Sequence, residues 1–113
     1  MKNKYGNRKI EYNGEKYDSV KEYRRHDELK LLERAGRISG LQRQVKFELI
    51  PAQKIGGKVV ERACTYVADF VYTENGETCV EDVKGYKGGG AYAIFTIKRK
   101  LMLHVHGIRI KEI

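Results

Sequence analysis

Two aspartates and one lysine occupy neighbouring β-rich segments at a spacing that suits phosphate chemistry. Asp69 lies in one apolar run, and Asp82 and Lys84 lie in the next, beyond the polar turn 74–77. Two such runs around a glycine-containing turn predict a β-hairpin. Because side chains alternate along a strand, Asp82 and Lys84 share one face, and pairing about the turn brings Asp69 beside them.

Two carboxylates and one ammonium group on one side of a sheet can serve phosphodiester hydrolysis. Mg²⁺ prefers carboxylate oxygens and keeps several waters, so two aspartates suffice for a site that a phosphate completes. The ion acidifies a water and neutralises charge on the phosphate, while a lysine orients the water or stabilises the anion. For an isolated D…D-x-K pattern, the commoner interpretation is a strand-end aspartate followed by solvated charges at Glu81, Asp82 and Lys84. The rest of the chain must decide.

Length and composition predict one globular domain spanning residues 1–113. The chain is 41% hydrophobic, and no apolar run approaches the ~20 residues of a membrane span. The polar, basic residues 1–8 are expected to form a flexible arm and lead into no apolar signal core. Cys64 and Cys79 lack C-x-x-C spacing, so neither a zinc knuckle nor a disulfide framework is indicated. We expect a cytoplasmic protein without a membrane partner.

The net charge of +8 is concentrated in the last third of the chain. No acidic residue occurs from Val83 to Lys111, whereas this stretch carries seven basic ones: Lys84, Lys87, Lys98, Arg99, Lys100, Arg109 and Lys111. Charge that serves only solubility is usually mixed in sign. The distribution therefore favours a polyanionic partner, with nucleic acid first.

A first helix is predicted from a cap at Asp18 or Ser19 to about Ala35, ended by Gly36. A small β-ribbon around Asn13-Gly14 precedes it. The expected core face comprises Val20, Tyr23, Leu31, Leu32 and Ala35. Glu22 completes a Ser-x-x-Glu capping box, which explains it structurally, but its position one turn in also lets it face the sheet. The two roles do not exclude each other.

The segment 41–50 alternates polar and apolar residues and predicts a strand that Pro51 ends. Gln44 falls on its polar face, where it either reaches the site or is an ordinary surface glutamine. Residues 53–62 are expected to form a hairpin loop leading to the next strand, and residues 108–113 a final strand.

A glycine-rich loop at 85–90 separates the hairpin from a second helix, predicted over residues 91–105. The pattern Gly88-x-Gly90-x-x-Ala93 imitates a dinucleotide fingerprint, but too little chain follows to build such a fold. A flexible basic loop beside a phosphate site is favoured instead. His104 and His106 lack a third partner and are interpreted as a surface pair.

Three basic residues of the second helix are candidate nucleic-acid contacts, together with Lys87 in the preceding loop. Lys98 projects from an apolar stripe, so it either extends to water or reaches back to a substrate phosphate. Arg99 and Lys100 are expected to point away from the core and to contact backbone phosphates.

The order of elements and several motifs resemble the restriction-endonuclease-like, PD-(D/E)XK nuclease superfamily. More closely, the chain is similar to small phage and prophage endonucleases related to archaeal-type Holliday-junction resolvases, over roughly residues 9–113. The motifs that carry this likeness are Tyr17-Asp18-Ser19-x-x-Glu22, Glu28-Leu29-x-Leu31-Leu32-Glu33-x-Ala35-Gly36, Phe47-x-Leu49-Ile50-Pro51-Ala52-Gln53, Tyr66-x-Ala68-Asp69-Phe70 and Glu81-Asp82-Val83-Lys84-Gly85. The resemblance implies an α/β fold with a central mixed β-sheet flanked by helices (αβββαβ), preceded here by an N-terminal β-hairpin.

The same resemblance implies the roles of individual residues. Asp69 and Asp82 would be Mg²⁺ ligands, with Mn²⁺ able to substitute, Glu22 the helix carboxylate that completes the shell, and Lys84 the catalytic lysine. The expected activity is hydrolysis of branched DNA by a homodimer in a bacterial host cell, leaving a 5′-phosphate and a 3′-hydroxyl. The run Gly88-Gly89-Gly90 departs from the more substantial loop expected there. A nuclease acting on linear, nicked or flapped duplex, and a non-catalytic nucleic-acid-binding module, are the alternatives.

Overall fold

The computed structural model describes residues 9–85 and 87–113, so the predicted arm at 1–8 lies outside the described residues. Two helices and eight strands follow one another in this order: β1 (Ile10–Tyr12), β2 (Glu15–Tyr17), α1 (Val20–Arg34), β3 (Ser39–Ile50), β4 (Gln53–Ile55), β5 (Lys58–Glu61), β6 (Cys64–Glu74), β7 (Glu77–Asp82), α2 (Gly89–His106) and β8 (Lys111–Glu112). The expected α/β class and the order of the main elements are confirmed. The segment expected to be a hairpin loop is itself a two-stranded ribbon, β4–β5.

The central sheet has four strands in the order β3-β6-β7-β8. The first three are antiparallel, whereas β7 and β8 are parallel, so the sheet is mixed as predicted. Ile113 extends the parallel ladder: its N–H donates to the Asp82 carbonyl at 2.9 Å, and its carbonyl accepts from the Lys84 N–H at 3.2 Å. These bonds fix the backbone at both ends of the D-x-K segment, at Asp82 and at Lys84.

Left-handed residues close the three antiparallel hairpins. Asn13-Gly14, Gly56-Gly57 and Asn75-Gly76 each have positive φ at both positions, as two-residue type I′ turns require. The turn at Asn75-Gly76 pairs Glu74 with Glu77. The register predicted for the β6–β7 hairpin is therefore confirmed.

Two hydrophobic clusters pack against the sheet. One joins α2 to the sheet and contains Leu49, Tyr66, Ala68, Val80, Phe95, Met102 and Ile110. The other lies with α1 and contains Leu29, Ile38, Phe70 and Tyr72. The alternating buried residues of β6 thus belong to the α2 cluster before Asp69 and to the α1 cluster after it.

The core face predicted for α1 is correct only in part, at Leu32, which packs against the second hydrophobic cluster. The buried residues of the helix are Glu22, His26 and Leu29, while Leu31 is 60% and Val20 37% exposed. Two of its three inward positions are polar, because Glu22 and His26 have hydrogen-bond partners there: Asp18 and Gln44 for Glu22, and Tyr17 for His26. A helix that positions titratable groups cannot be oriented from its apolar residues alone.

The apolar pattern of α2 predicts a core face of Ala91, Ile94, Phe95, Leu101 and Met102, which is correct only in part. Phe95 and Met102 are buried and Leu101 packs against them, but Ala91 is exposed and Ile94 is 58% exposed. Gly89 begins the helix two residues before its expected start, and Gly107 ends it in the left-handed conformation. Neither helix in the described part of the chain is long and apolar enough to cross a membrane.

Candidate active site

The first turn of α1 holds Glu22 in place through both cap bonds. Ser19 Oγ accepts the Glu22 N–H at 3.1 Å, and Glu22 Oε2 accepts the Asp18 N–H at 2.7 Å. This is the predicted capping box shifted by one residue, because the returning bond goes to Asp18 rather than to Ser19. It occupies one carboxylate oxygen and leaves Oε1 directed to other partners.

The β6–β7 hairpin positions the other two carboxylates and the lysine. Phe70 pairs with Glu81, and continuing that register by one residue places Asp69 opposite Asp82. The Val83 N–H donates to Asp69 Oδ2 at 2.8 Å, which fixes the Asp69 carboxylate. Lys84 Nζ lies 2.5 Å from Asp82 Oδ2.

Lys84 is held by more than its ion pair with Asp82. Its ammonium group lies 3.4 Å from the centre of the Phe95 ring, a cation–π contact from the first half of α2. Its backbone carbonyl accepts a hydrogen bond of 2.9 Å from Lys21 Nζ. The lysine therefore has a defined position, which a group that orients a water molecule requires.

Gln44 links the helix carboxylate to the sheet. Its Nε2 donates to Glu22 Oε1 at 3.2 Å and to Asp69 Oδ1 at 3.3 Å. Gln44 is exposed, as a surface glutamine would be, and it also reaches both carboxylates. Gln44 has φ +53° inside a strand, a conformation that is uncommon for residues other than glycine and is found at functional sites.

The left-handed residue also breaks the alternation of β3 locally. Arg43 and Gln44 are adjacent, yet Arg43 Nη2 lies 3.9 Å from the same Glu22 oxygen that Gln44 contacts. In a regular strand, neighbouring side chains point to opposite faces. The local distortion thus brings two strand residues to one carboxylate.

Burial and the neighbouring Asp69 raise the pKa values of two carboxyl groups in this cluster. Burial, supported by the Asp69 charge and opposed by the Asp18 N–H, raises the pKa of Glu22 to about 7. Burial and then Asp69 raise the pKa of Asp82 to about 7, although Lys84 acts in the opposite direction. Glu22 and Asp82 are only 2% and 7% exposed. Ionisation of both buried carboxyl groups is therefore unfavourable in the folded protein.

This crowding predicts an unusual pH dependence of stability. Between about pH 4 and pH 7, the folded protein keeps protons on Glu22 and Asp82 that the unfolded chain has already released. The free energy of unfolding should therefore fall as the pH rises through this window in metal-free buffer. Urea unfolding of the wild type and of Glu22→Gln at several pH values measures this decline. The decline of the wild type should exceed that of Glu22→Gln by an amount on the order of 2 kcal/mol.

The comparison between the two proteins isolates the carboxyl group. His26, whose pKa burial lowers, contributes the opposite slope in both proteins and cancels in the difference. The Glu22→Gln variant should show the smaller decline of stability toward neutral pH. Equal pH slopes would contradict the raised pKa of Glu22.

Tyr66 lies beside this cluster and was not identified as a site residue from the sequence. It is 4% exposed, and its buried hydroxyl has no hydrogen-bond partner among the described residues. Burial and then the charges of Asp82, Asp69 and Glu112 raise its pKa, so the hydroxyl remains protonated and able to donate. An unsatisfied buried donor next to carboxylates indicates a place where a bound group completes the hydrogen bonding.

The donor set of this site suits a hard divalent cation. It consists of carboxylate oxygens, which are the ligands that Mg²⁺ and Mn²⁺ prefer. Within residues 9–85 and 87–113, no group of three or more His, Cys, Asp or Glu side chains is arranged so that it could hold a metal ion. Gln44 donates to oxygens of both Glu22 and Asp69 instead.

The basic residues predicted to bind nucleic acid are not equivalent. Arg99 does not point away as expected: its Nη1 donates to Glu112 Oε2 at 3.0 Å, and Tyr92 donates to the other oxygen at 2.7 Å. Lys87 Nζ lies 3.9 Å from the same carboxylate. Lys100 is exposed and Lys98 half-buried. Glu112 therefore partly neutralises this surface.

A cleft of about 500 Å³ lies between α2 and the final strand. It is lined by Arg99, Lys100, Leu103, Arg109, Ile110 and Glu112. His106 lies at the end of α2, where its Nε2 is 2.7 Å from the Glu48 carbonyl oxygen. His106 thus attaches the end of the helix to β3.

Comparison with known proteins places the chain in a family. A family profile described as "Protein of unknown function (DUF1064)" matches residues 2–111, nearly the whole chain. The chain belongs to this family. No curated protein and no solved structure gives a significant match. For this DUF1064 chain, the function must therefore be inferred from the site itself.

Proposed function

We propose that this chain is a metal-dependent DNA endonuclease of the restriction-endonuclease-like, PD-(D/E)XK type. The observation that carries the proposal is the convergence of Glu22, Asp69, Asp82 and Lys84 from three separate elements. The acid on one strand and the D-x-K on the next match the superfamily pattern. An ion-pair network that served stability alone would not be expected to leave buried carboxyl groups with pKa values raised to about 7.

Each residue has a chemical role in this proposal. Asp69, Asp82 and Glu22 would hold Mg²⁺, or Mn²⁺ in its place, and the ion would supply charge neutralisation and acidification of water. Lys84, fixed between Asp82 and Phe95, would orient the attacking water and stabilise charge on the phosphate. The oxygen of water forms a bond to phosphorus while the bond to the 3′-oxygen breaks. The products are a 5′-phosphate and a 3′-hydroxyl.

The basic surface supports a nucleic-acid substrate. The cleft beside α2 offers Lys100 and Arg109 to a phosphate backbone, and the chain carries a net charge of +8. This same surface favours the alternative of a binding module without catalysis. The two proposals differ in whether the carboxylate cluster is needed.

Branched DNA is the substrate that we propose, cut by a homodimer that places one site on each of two strands. Exposed aliphatic residues of α2, with Ile94 at 58% and Ile97 at 60%, offer a surface for self-association. Sedimentation velocity of the purified protein tests the dimer directly. If the protein were a monomer at all concentrations, the proposed activity would be limited to nicking one strand at a time.

The test of function is a cleavage assay with an end-labelled four-way junction and a linear duplex built from the same arms. We expect nicking in Mg²⁺ or Mn²⁺, none in EDTA, and faster cutting of the junction. If both substrates were cut at the same rate, the chain would still be a nuclease, but one that acts on duplex DNA in general rather than on branched DNA. Salt-sensitive binding without cleavage in either metal would favour the binding module.

A further inference from the structure

The β4–β5 ribbon is the most exposed regular structure in the described chain. Every residue from 51 to 63 is exposed, and the ribbon pairs only with itself. A two-stranded hairpin is at best marginally stable on its own. Its three aliphatic residues, Ile55, Val59 and Val60, are 73%, 54% and 53% exposed and contribute nothing to either hydrophobic cluster.

The cross-strand pairs of the ribbon combine a cation with an aliphatic side chain. Lys54 pairs with Val59, and Ile55 pairs with Lys58. Directly opposite residues share a face, so each face presents one ammonium group beside one β-branched side chain. With Arg62 and Glu61, residues 53–62 carry three positive charges and one negative charge, a net charge of +2.

This combination fits a groove of duplex DNA better than it fits a second copy of the chain. Lysines can contact the phosphates that border a groove, while aliphatic groups contact base edges such as the thymine methyl. The major groove of B-form DNA admits a two-stranded β-ribbon, whereas the minor groove is only about 6 Å wide. Two ribbons packed together would bring like charges into contact.

The ribbon also lies at a useful distance from the carboxylate cluster. It joins the end of β3 to the start of β6. Asp69 lies five residues from Cys64, and Gln44, which contacts the carboxylates, lies six residues from Ile50. At about 3.3 Å per residue this is roughly 17–20 Å. One turn of B-DNA is about 34 Å long, so a single duplex can meet both features.

We propose that the β4–β5 ribbon inserts into the major groove of duplex DNA and holds it beside the carboxylate cluster. The ribbon thereby contributes to substrate grip through Lys54 and Lys58 at the phosphates and through the aliphatic side chain of the face that meets the base edges, Ile55 on one face or Val59 on the other. This inference rests on the proposed nuclease function, because it assigns a second contact to the same substrate.

Equilibrium binding in EDTA separates the ribbon from catalysis. Fluorescence anisotropy with a labelled DNA duplex of about 20 base pairs gives the affinity at several salt concentrations. The variant Lys54→Gln/Lys58→Gln should reduce the slope of log affinity against log salt by about two, since each phosphate contact contributes nearly one. The variant Ile55→Thr/Val59→Thr keeps the β-branched shape and should weaken binding about tenfold with an unchanged salt slope.

A matched control removes the same charge elsewhere. Lys30→Gln/Arg34→Gln changes two basic residues in the C-terminal half of α1 and should leave the salt slope within experimental error of the wild type. If the control lowered the salt slope as much as Lys54→Gln/Lys58→Gln does, net charge alone would explain the effect of the ribbon lysines. The proposal would then be overturned. If Ile55→Thr/Val59→Thr changed the oligomeric mass of the protein in the absence of DNA, the ribbon would contact a second copy of the chain. That result would also overturn the proposal.

An RNA duplex of the same sequence provides a second readout. The major groove of A-form RNA is deep and narrow and does not admit protein elements. The wild type should therefore prefer DNA, and both ribbon variants should lose part of that preference. If the wild type cleaves DNA while ribbon variants bind as it does, the ribbon proposal fails alone. If the wild type neither binds nor cleaves, the proposed function fails with it.

Discussion

Replacing Asp82 by asparagine should abolish metal-dependent cleavage while leaving the protein folded. The Asp82 carboxylate is buried between Asp69 and Lys84, and the amide has the same shape but no charge. Loss of one preorganised electrostatic group typically costs about 10²–10³ in rate, and loss of a metal ligand should cost at least that. Single-turnover cleavage of the junction in Mg²⁺ measures the effect.

The same substitution should raise stability in metal-free buffer above neutral pH. Because burial and Asp69 raise the pKa of Asp82 to about 7, its negative charge is unfavourable in the folded state, and a neutral amide removes that cost. Activity and stability should therefore move in opposite directions. Asp27→Asn, at an exposed position of α1, is the matched control and should change neither. Undiminished cleavage by Asp82→Asn would exclude this site as the catalytic centre.

Removing the side chain of Arg25 should destabilise the protein by about 3–5 kcal/mol, the cost of leaving a buried charge without its partner. Glu81 is fully buried and accepts two parallel hydrogen bonds from Arg25, at 2.7 and 2.6 Å. Tyr72 donates a third at 2.5 Å. In Arg25→Ala, only Tyr72 would remain to compensate the Glu81 charge. Urea unfolding measures the loss.

Two further variants identify the cause of that loss. Glu28→Ala removes the exposed partner of Arg25, 3.0 Å away, and should cost less than about 1 kcal/mol. Adding Glu81→Leu to Arg25→Ala should recover much of the stability, because the uncompensated charge is then gone. A loss below about 1 kcal/mol in Arg25→Ala would contradict this account. Glu81 directly precedes Asp82 in β7. If the Arg25–Glu81 pair also positions the carboxylate cluster, the cleavage rate of Arg25→Ala should fall together with its stability.

Local signals in the sequence determined the hairpins, the helix ends and the alternation of the strands. The turn Asn75-Gly76 fixed the register that places Asp69 opposite Asp82, because a two-residue left-handed turn permits only one pairing of the flanking residues. Ser19 and Gly36 determined the ends of α1 for the same kind of reason: caps act within one turn of the chain. The order of elements followed from these short-range features.

Tertiary contacts decided which face of α1 is buried and what Glu81 does. The apolar pattern of α1 pointed to Leu31 and Val20, whereas the fold buries Glu22 and His26. A charged residue enters the interior only when a distant partner meets it, and the partner of Glu81 is 56 residues away along the chain. No local pattern carries that information, and the sequence alone does not distinguish Glu81 from a solvated edge charge.

The sequence by itself therefore determined the strands, the turns and the spacing of the acids within the hairpin, because these depend on neighbours a few residues apart. Only the tertiary structure brought Glu22 and Gln44 to Asp69. It also buried beside this cluster the Tyr66 hydroxyl, which has no hydrogen-bond partner among the described residues, and left the ribbon exposed. The reason is that burial and charge proximity depend on which distant segments meet, and that is a property of the whole fold.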